Sequence, residues 1–211
     1  MTMHKIFLTA ALLAVFSCAE NKKEITINQS SATADTIKNT ASNDISEEQQ
    51  LKDLNSKILT ILKDGNYAEL SRYIHPADGI RFSMYAFVDP TVDKHFSRKE
   101  FEKYIDADVK FTWGNRDGSG EPLILSLRDY LKQWAAAKDY GKGEYYFNEF
   151  KGKGNSINNL KKVYPDDAFT ENYLSGTEEY GGMDWNSLRM VFRKDNGRYY
   201  LVAIVNDRWT V

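Results

Sequence analysis

His75 stands at the end of a predicted short helix, immediately before Pro76. An imidazole there is one of the few side chains able to act as a general base near neutral pH. The position also suits a plainer role, in which a histidine at a helix C-terminus interacts with the helix dipole or caps the last turn. His95 falls in a polar stretch, and His4 lies in an apolar leader. With one cysteine in the chain and two histidines far apart in its folded part, no zinc-ligand spacing exists. Serine offers no nucleophile elbow, because G-x-S-x-G does not occur.

A second set of residues points to binding. Arg81, Tyr85, Arg189, Tyr199 and Trp209 alternate with apolar residues in runs that read as strands. If the sheet is concave, such polar and aromatic side chains could line a pocket for a carbohydrate, a peptide or an anion. The ordinary alternative is amphipathic strands whose polar faces meet water. Asn115, Asp117, Ser119 and Glu121 place oxygens at alternate positions around Gly118 and Gly120, a pattern similar to the first half of an EF-hand loop. Pro122 and Ser126 break the second half, so a weak calcium site or a glycine-rich turn leading from the Trp113 strand to the next helix both fit. No other cofactor is expected. KGKGNSINN has glycines and lysines without the Gly-Lys-Ser/Thr ending of a phosphate loop, and reads as a loop or a strand with glycine bulges.

The elements that must position these residues follow from caps and periodicity. Ser46-x-x-Gln49 is a capping box, followed by Leu51, Leu54, Ile58, Ile61 and Leu62 at helical spacing until Gly65. Asn66-x-x-Glu69 opens a short helix ending near Ile74. GIRFSMYAFVD alternates as a strand, with Ile80, Phe82, Met84, Ala86 and Val88 on one face. Ser97-x-x-Glu100 caps a helix, VKFTW is a short strand, and Ser126-x-x-Asp129 starts a helix with Leu127, Tyr130, Leu131 and Trp134 on one side. From Tyr145 onward the pattern is of strands, and Asn196-Gly197 between two alternating runs predicts a hairpin. Helices first and an antiparallel meander last predict an α+β domain, with N-terminal helices packed on a curved, mainly antiparallel sheet.

The N-terminus reads separately. His4 and Lys5 precede the apolar run Ile6 to Phe16, too short for the roughly 20 residues of a membrane span. Val15-Phe16-Ser17-Cys18 resembles the lipobox of bacterial lipoproteins, in which the cysteine is acylated and becomes the mature N-terminus. That resemblance implies a signal peptide at 1–17, lipidation at Cys18, and a protein anchored in the cell envelope facing either the periplasm or the cell surface. Residues 18–45 are rich in Ser, Thr, Asn and Lys and free of aromatics, the composition of a tether. By the square-root rule it would span about 30 Å. Residues 46–211 then form one globular domain. The charge is near balance, with 28 Lys and Arg against 30 Asp and Glu, and suggests neither a nucleic-acid face nor a polybasic membrane patch.

The order of helix pair, strand, helix and hairpins, ending in GRYYLVAIV, resembles the cone-shaped nuclear transport factor 2 and SnoaL-like superfamily over residues 46–211. Enzymes of the SnoaL-like type hold a His and Asp acid/base pair in the cone, so the resemblance implies His75 paired with Asp207 or Asp89. It also implies a possible homodimer through the sheet. HPADGIRFSMYAFVD, WGNRDGSGEP and YYLVAIVNDRWTV are similar to blocks of cell-envelope proteins. Two functions fit: a non-catalytic domain binding a small molecule, a glycan or an envelope protein, or a SnoaL-like isomerase, cyclase or hydrolase. The first is the expected one.

Overall fold

Helix α1, Glu47–Asp64, is placed by its ends and its apolar stripe. In the computed structural model, which describes residues 46–211, Ser46 Oγ accepts a hydrogen bond from Gln49 N at 3.2 Å. The Gln49 side chain turns to Asp53 instead of closing the box. Gly65 ends the helix in the left-handed conformation, its N–H reaching back to the last-turn carbonyls. Leu51, Ile58, Ile61 and Leu62 are buried on one side. Cys18 and the 18–45 tether lie outside the described residues, among which no helix is long and apolar enough to cross a membrane.

The chain continues through a 3₁₀ turn, Tyr67–Arg72, to β1 (Ile80–Ser83), β2 (Lys94–Phe96) and α2 (Arg98–Tyr104). It goes on to β3 (Lys110–Asn115), β4 (Pro122–Ser126), α3 (Leu127–Tyr130), β5 (Glu144–Phe147) and α4 (Leu160–Val163), and ends with β6 (Ala168–Leu174), β7 (Asn186–Asp195) and β8 (Arg198–Arg208). Six strands form one sheet in the order β2-β1-β8-β7-β6-β5, while β3 and β4 form a separate hairpin. All pairs in the main sheet are antiparallel except β1 with β8. A register shift between Val191 and Phe192 bends the long β7–β8 pair. The domain is therefore the expected α+β arrangement of helices on a curved, mainly antiparallel sheet.

Several elements depart from the expected pattern for local reasons. The first strand stops at Ser83, whose single hydroxyl hydrogen is shared between the carbonyls of Tyr85 and Phe87, at 2.9 and 3.0 Å, so that the chain folds over. His95 lies on a strand and not in a loop, opposite Arg81. The glycine-rich turn joins β3 to β4, so another strand precedes the helix at Leu127. That helix continues as a π turn, Leu131–Ala135. The Asn196-Gly197 hairpin is as expected, both residues having positive φ.

Register assigns the two faces of the sheet. Thr170, Met190, Ile204 and Phe82 stand in one row and face the helices. Here Phe82 meets Phe96, Phe101, Trp113 and Tyr130, and Trp113 stacks on Tyr130 with centroids 3.7 Å apart. The next row, Glu171, Arg189, Val205 and Ser83, faces the other way. On that side Leu160, Tyr164, Phe169, Val191, Val202 and Val205 form a second apolar cluster. Residues 148–164 cross this face, so the sheet is covered on both sides.

Candidate binding site on the second sheet face

The candidate site grows from a strand pattern. In AFTENYL the residues Phe169, Glu171 and Tyr173 share one face, and register sets Glu171 directly opposite Arg189 on β7. On β8, Asp207 stands opposite Ser187, which shares a face with Arg189. Three charged side chains and a hydroxyl are thus brought into one patch, and all four are buried.

Their contacts are uneven. Glu171 Oε1 accepts from Arg189 Nε at 3.1 Å and from Gly152 N at 3.3 Å, and from the Ser187 hydroxyl in a short contact. Its Oε2 accepts from Lys151 N at 2.6 Å. Arg189 Nη2 lies 2.9 Å from Glu171 Oε1 and 2.8 Å from Asp207 Oδ2, and donates to Gly152 O at 3.0 Å. Arg189 Nη1 and Asp207 Oδ1 are buried with no hydrogen-bond partner. Burial pushes the Asp207 carboxyl above the usual carboxylate range, and the Arg189 charge pulls against it.

Gly152 is required by this packing. A Cβ there would stand 2.7 Å from the Trp185 ring and 3.0 Å from Glu171 Oε1. KGKGNSINN is thus a close-packed strap whose backbone satisfies a buried carboxylate. Beneath it lies a cavity of about 380 Å³, lined by Phe150, Lys153, Ser156, Asn158 and Asp207 among others. A larger groove of about 680 Å³, whose walls include Phe87, Val88, Pro90, Ile157 and Val163, shares Asn158 with it. Of the three buried charges only Asp207 lines the smaller cavity, with Lys153 as its other charged residue.

The residues singled out in the sequence scatter. His75 is buried, and its Nδ1 accepts from Asp78 N at 2.9 Å and from Ala77 N at 3.3 Å. Its backbone N–H bonds Leu201 O, six residues along β8 from Asp207, or roughly 20 Å of extended strand. The implied pairing of His75 with Asp207 is therefore not formed; Asp207 is held by Arg189 instead. Asp89 does not meet His75 through any hydrogen bond or ion pair either. Its Oδ1 accepts from the Thr91 hydroxyl and N–H at 2.7 and 2.8 Å, which holds its pKa below the usual carboxylate range.

The proposed ligand-binding set does not converge. Arg81 Nη1 donates to the carbonyls of Pro90 and Asp93, at 3.1 and 3.2 Å. Tyr85 accepts from Asp117 N, and Tyr199 donates to Glu47 Oε1 at 2.7 Å. Burial, with that bond second, pushes the Tyr199 hydroxyl up to about 12. Trp209 is exposed near the C-terminus. Arg189 from this set and Asp207 from the catalytic one form a buried ion pair, whereas Arg81 meets Asp89 only through charge attraction.

In the calcium candidate, Asn115 pairs with Pro122 in the hairpin, Ser119 Oγ accepts from Glu121 N, and Asp117 Oδ2 accepts from Val211 N at 2.7 Å. Among the described residues no group of three or more His, Cys, Asp or Glu side chains could hold a metal ion. Glu171 and Ser187 belong to no motif in the sequence. The signal that could have found Glu171 is an acid flanked by aromatics at alternate positions, one strand before an arginine in the same setting.

No family model matches this chain, and no curated protein matches it. Among solved structures it is similar to a five-substitution variant of Rd1NTF2_05, at 14% identity over 76% of this chain and 99% of that one, with a TM-score of 0.35. It is also similar to a protein described as a calcium/calmodulin dependent protein kinase II association domain from Xanthomonas campestris (11% identity, 77% and 88% covered, TM-score 0.35). A further similar structure is Aln2 from a Streptomyces species (9% identity, 77% and 92% covered, TM-score 0.36).

Proposed function

We propose that this chain is a cell-envelope lipoprotein, held at a membrane by acyl chains on Cys18, whose globular domain binds a ligand or partner without transforming it. The observation that carries the non-catalytic reading is the filled space between helices and sheet. Phe82, Phe101, Trp113, Tyr130 and Trp134 are all buried there and pack ring against ring. That is where a cone-shaped enzyme would hold its substrate. His75 Nδ1 accepts from Asp78 N and closes a turn.

The anchoring part rests on the leader, in which an apolar run ends in Val15-Phe16-Ser17-Cys18. Two or more acyl chains give stable attachment where one gives only marginal binding. The test is to express the full chain and its Cys18→Ala variant in a bacterium fed labelled palmitate, and to separate membranes from soluble fractions. The wild type should carry label and sediment with membranes, and the variant should do neither. A variant that still takes up label and sediments would overturn the reading.

A further inference from the structure

We propose that the open groove between residues 87–90 and 157–163 holds the alkyl chain of a free long-chain carboxylate, with its head group on Lys162. This deepens the binding reading above and rests on it. The groove, of about 680 Å³, falls within the usual size range for small-ligand sites. Its apolar walls are Phe87, Val88, Pro90, Ile157 and Val163. Val88 is fully buried in the cluster of Leu160 and Val163, whereas Phe87 and Ile157 stay 50% and 72% exposed. Apolar side chains left in water around one hollow mark a binding surface, where a lone one would not.

The polar groups of the groove decide what fits it, because most are already taken. The Asn159 amide accepts from Val88 N at 2.7 Å and donates to Val88 O at 2.9 Å. Asp89 N donates to Asp93 Oδ2, and the Asp89 carbonyl accepts from Asp93 N, both at 2.9 Å. The carbonyls of Phe87, Pro90 and Asn159 accept from the Ser83 hydroxyl, Arg81 Nη1 and Lys162 N. Asn158 Oδ1 accepts from Leu160 N. A peptide adding as a strand needs free backbone groups, and a sugar entering here would leave water for few partners. An aliphatic chain asks for none.

Charge selects the head group. Lys162 forms no ion pair among the described residues. Asp89 on the same wall is held by Thr91 and lies in the field of Arg81, so the Lys162 ammonium is the charge left to be matched. An alkyl carboxylate supplies both the chain and the anion.

The experiment is calorimetric titration of the full chain carrying Cys18→Ala, in which neither a bilayer nor attached acyl chains compete. The probes are octanoate, decanoate and dodecanoate below their micelle concentrations, with dodecyl maltoside and dodecyltrimethylammonium as neutral and cationic counterparts. Affinity should rise about twofold to fourfold per added methylene, fourfold being the roughly 0.8 kcal/mol of a fully buried one. Ile157→Asp changes an exposed residue and should weaken dodecanoate by roughly tenfold or more with an unchanged melting temperature. Lys162→Glu should weaken dodecanoate by roughly fivefold and leave dodecyl maltoside unmoved. Affinity independent of chain length, or binding untouched by Ile157→Asp, would overturn the groove as a chain site. Tighter binding of the cationic or neutral amphiphile, unaltered by Lys162→Glu, would overturn the carboxylate. If carboxylates bind the Cys18→Ala chain but a photoreactive dodecanoate fails to label residues 157–163 of the acylated wild type in nanodiscs, the protein's own acyl chain fills the groove and the free ligand is overturned. Silence with every amphiphile would overturn this inference alone, because the anchored reading is tested separately by palmitate on Cys18.

Discussion

Asn55 and Asn172 exchange side-chain hydrogen bonds, each amide donating to the other's carbonyl oxygen at 2.9 Å, and so join α1 to β6, one strand in from the β5 edge of the sheet. Thr170 adds a third bond, its hydroxyl donating to Asn55 Oδ1 at 2.7 Å. All three residues are buried, so the network fixes how the helix sits on β6. Asn55→Ala strips partners from Thr170 and Asn172 together. Since a buried polar group left without a partner costs about 1–3 kcal/mol, the substitution should lower unfolding free energy by about 2–4 kcal/mol in urea. A loss below about 0.5 kcal/mol would show that water replaces the amide.

Much of this architecture is legible from short-range chemistry. Ser97 and Glu100 form the capping box that their spacing predicts, and Asn196-Gly197 turns the last hairpin. The end of β1 was not legible, because whether Ser83 bonds its own downstream carbonyls or lets the strand run on is decided by packing. The site was half legible for a similar reason. Alternation on β7 puts Arg189 on a face, but which face, and that Glu171 and Asp207 share it, depends on long-range register. The strap that buries the patch has no periodicity at all; its glycines signal close approach without naming what is approached.

His75 closes a turn, and the consequence can be measured. Besides its two bonds to Nδ1, its ring meets Tyr200 edge-on at 5.7 Å, and Gly79 N returns to its carbonyl at 3.0 Å. His75→Ala should cost about 1–3 kcal/mol from the two N–H groups it leaves unpaired. Asn in the same place can accept from an N–H two residues on, so His75→Asn should recover part of the loss. If Asn recovers nothing, packing against Tyr200 is what matters and not the cap.

Two aspartates should give opposite pH dependences. Asp78 is held below the usual carboxylate range, chiefly by its hydrogen bond from Arg193. Its contribution is present above the unfolded value of about 4 and is lost as pH falls through the lower folded value. Being partly exposed, it should be worth under about 1 kcal/mol. Asp93 is pushed up, first by burial, so wild-type stability should fall as pH rises from about 4 through the folded value and then level off. Asp93→Asn keeps an oxygen to accept from Asp89 N and removes that fall. The stability difference, Asn variant minus wild type, should therefore grow between pH 4 and 7 in urea titrations; a flat difference would mean that Asp93 ionises as freely in the fold as out of it.

Tyr130 tests the core directly. It stacks on Trp113 and sits edge-on to Phe82, yet its hydroxyl is buried without a partner, and burial holds its pKa well above the ordinary tyrosine value. Tyr130→Phe keeps both ring contacts and removes only the orphan oxygen. The void it leaves is smaller than a methyl group's and the desolvation it relieves is about 1–3 kcal/mol, so the variant should be more stable by about 1 kcal/mol. Trp113→Ala, which removes a whole ring from the same stack, should cost about 3–5 kcal/mol. If Tyr130→Phe instead lost more than about 1 kcal/mol, the hydroxyl must have a buried water as partner, and the space between helices and sheet would be wetter than its aromatic lining implies.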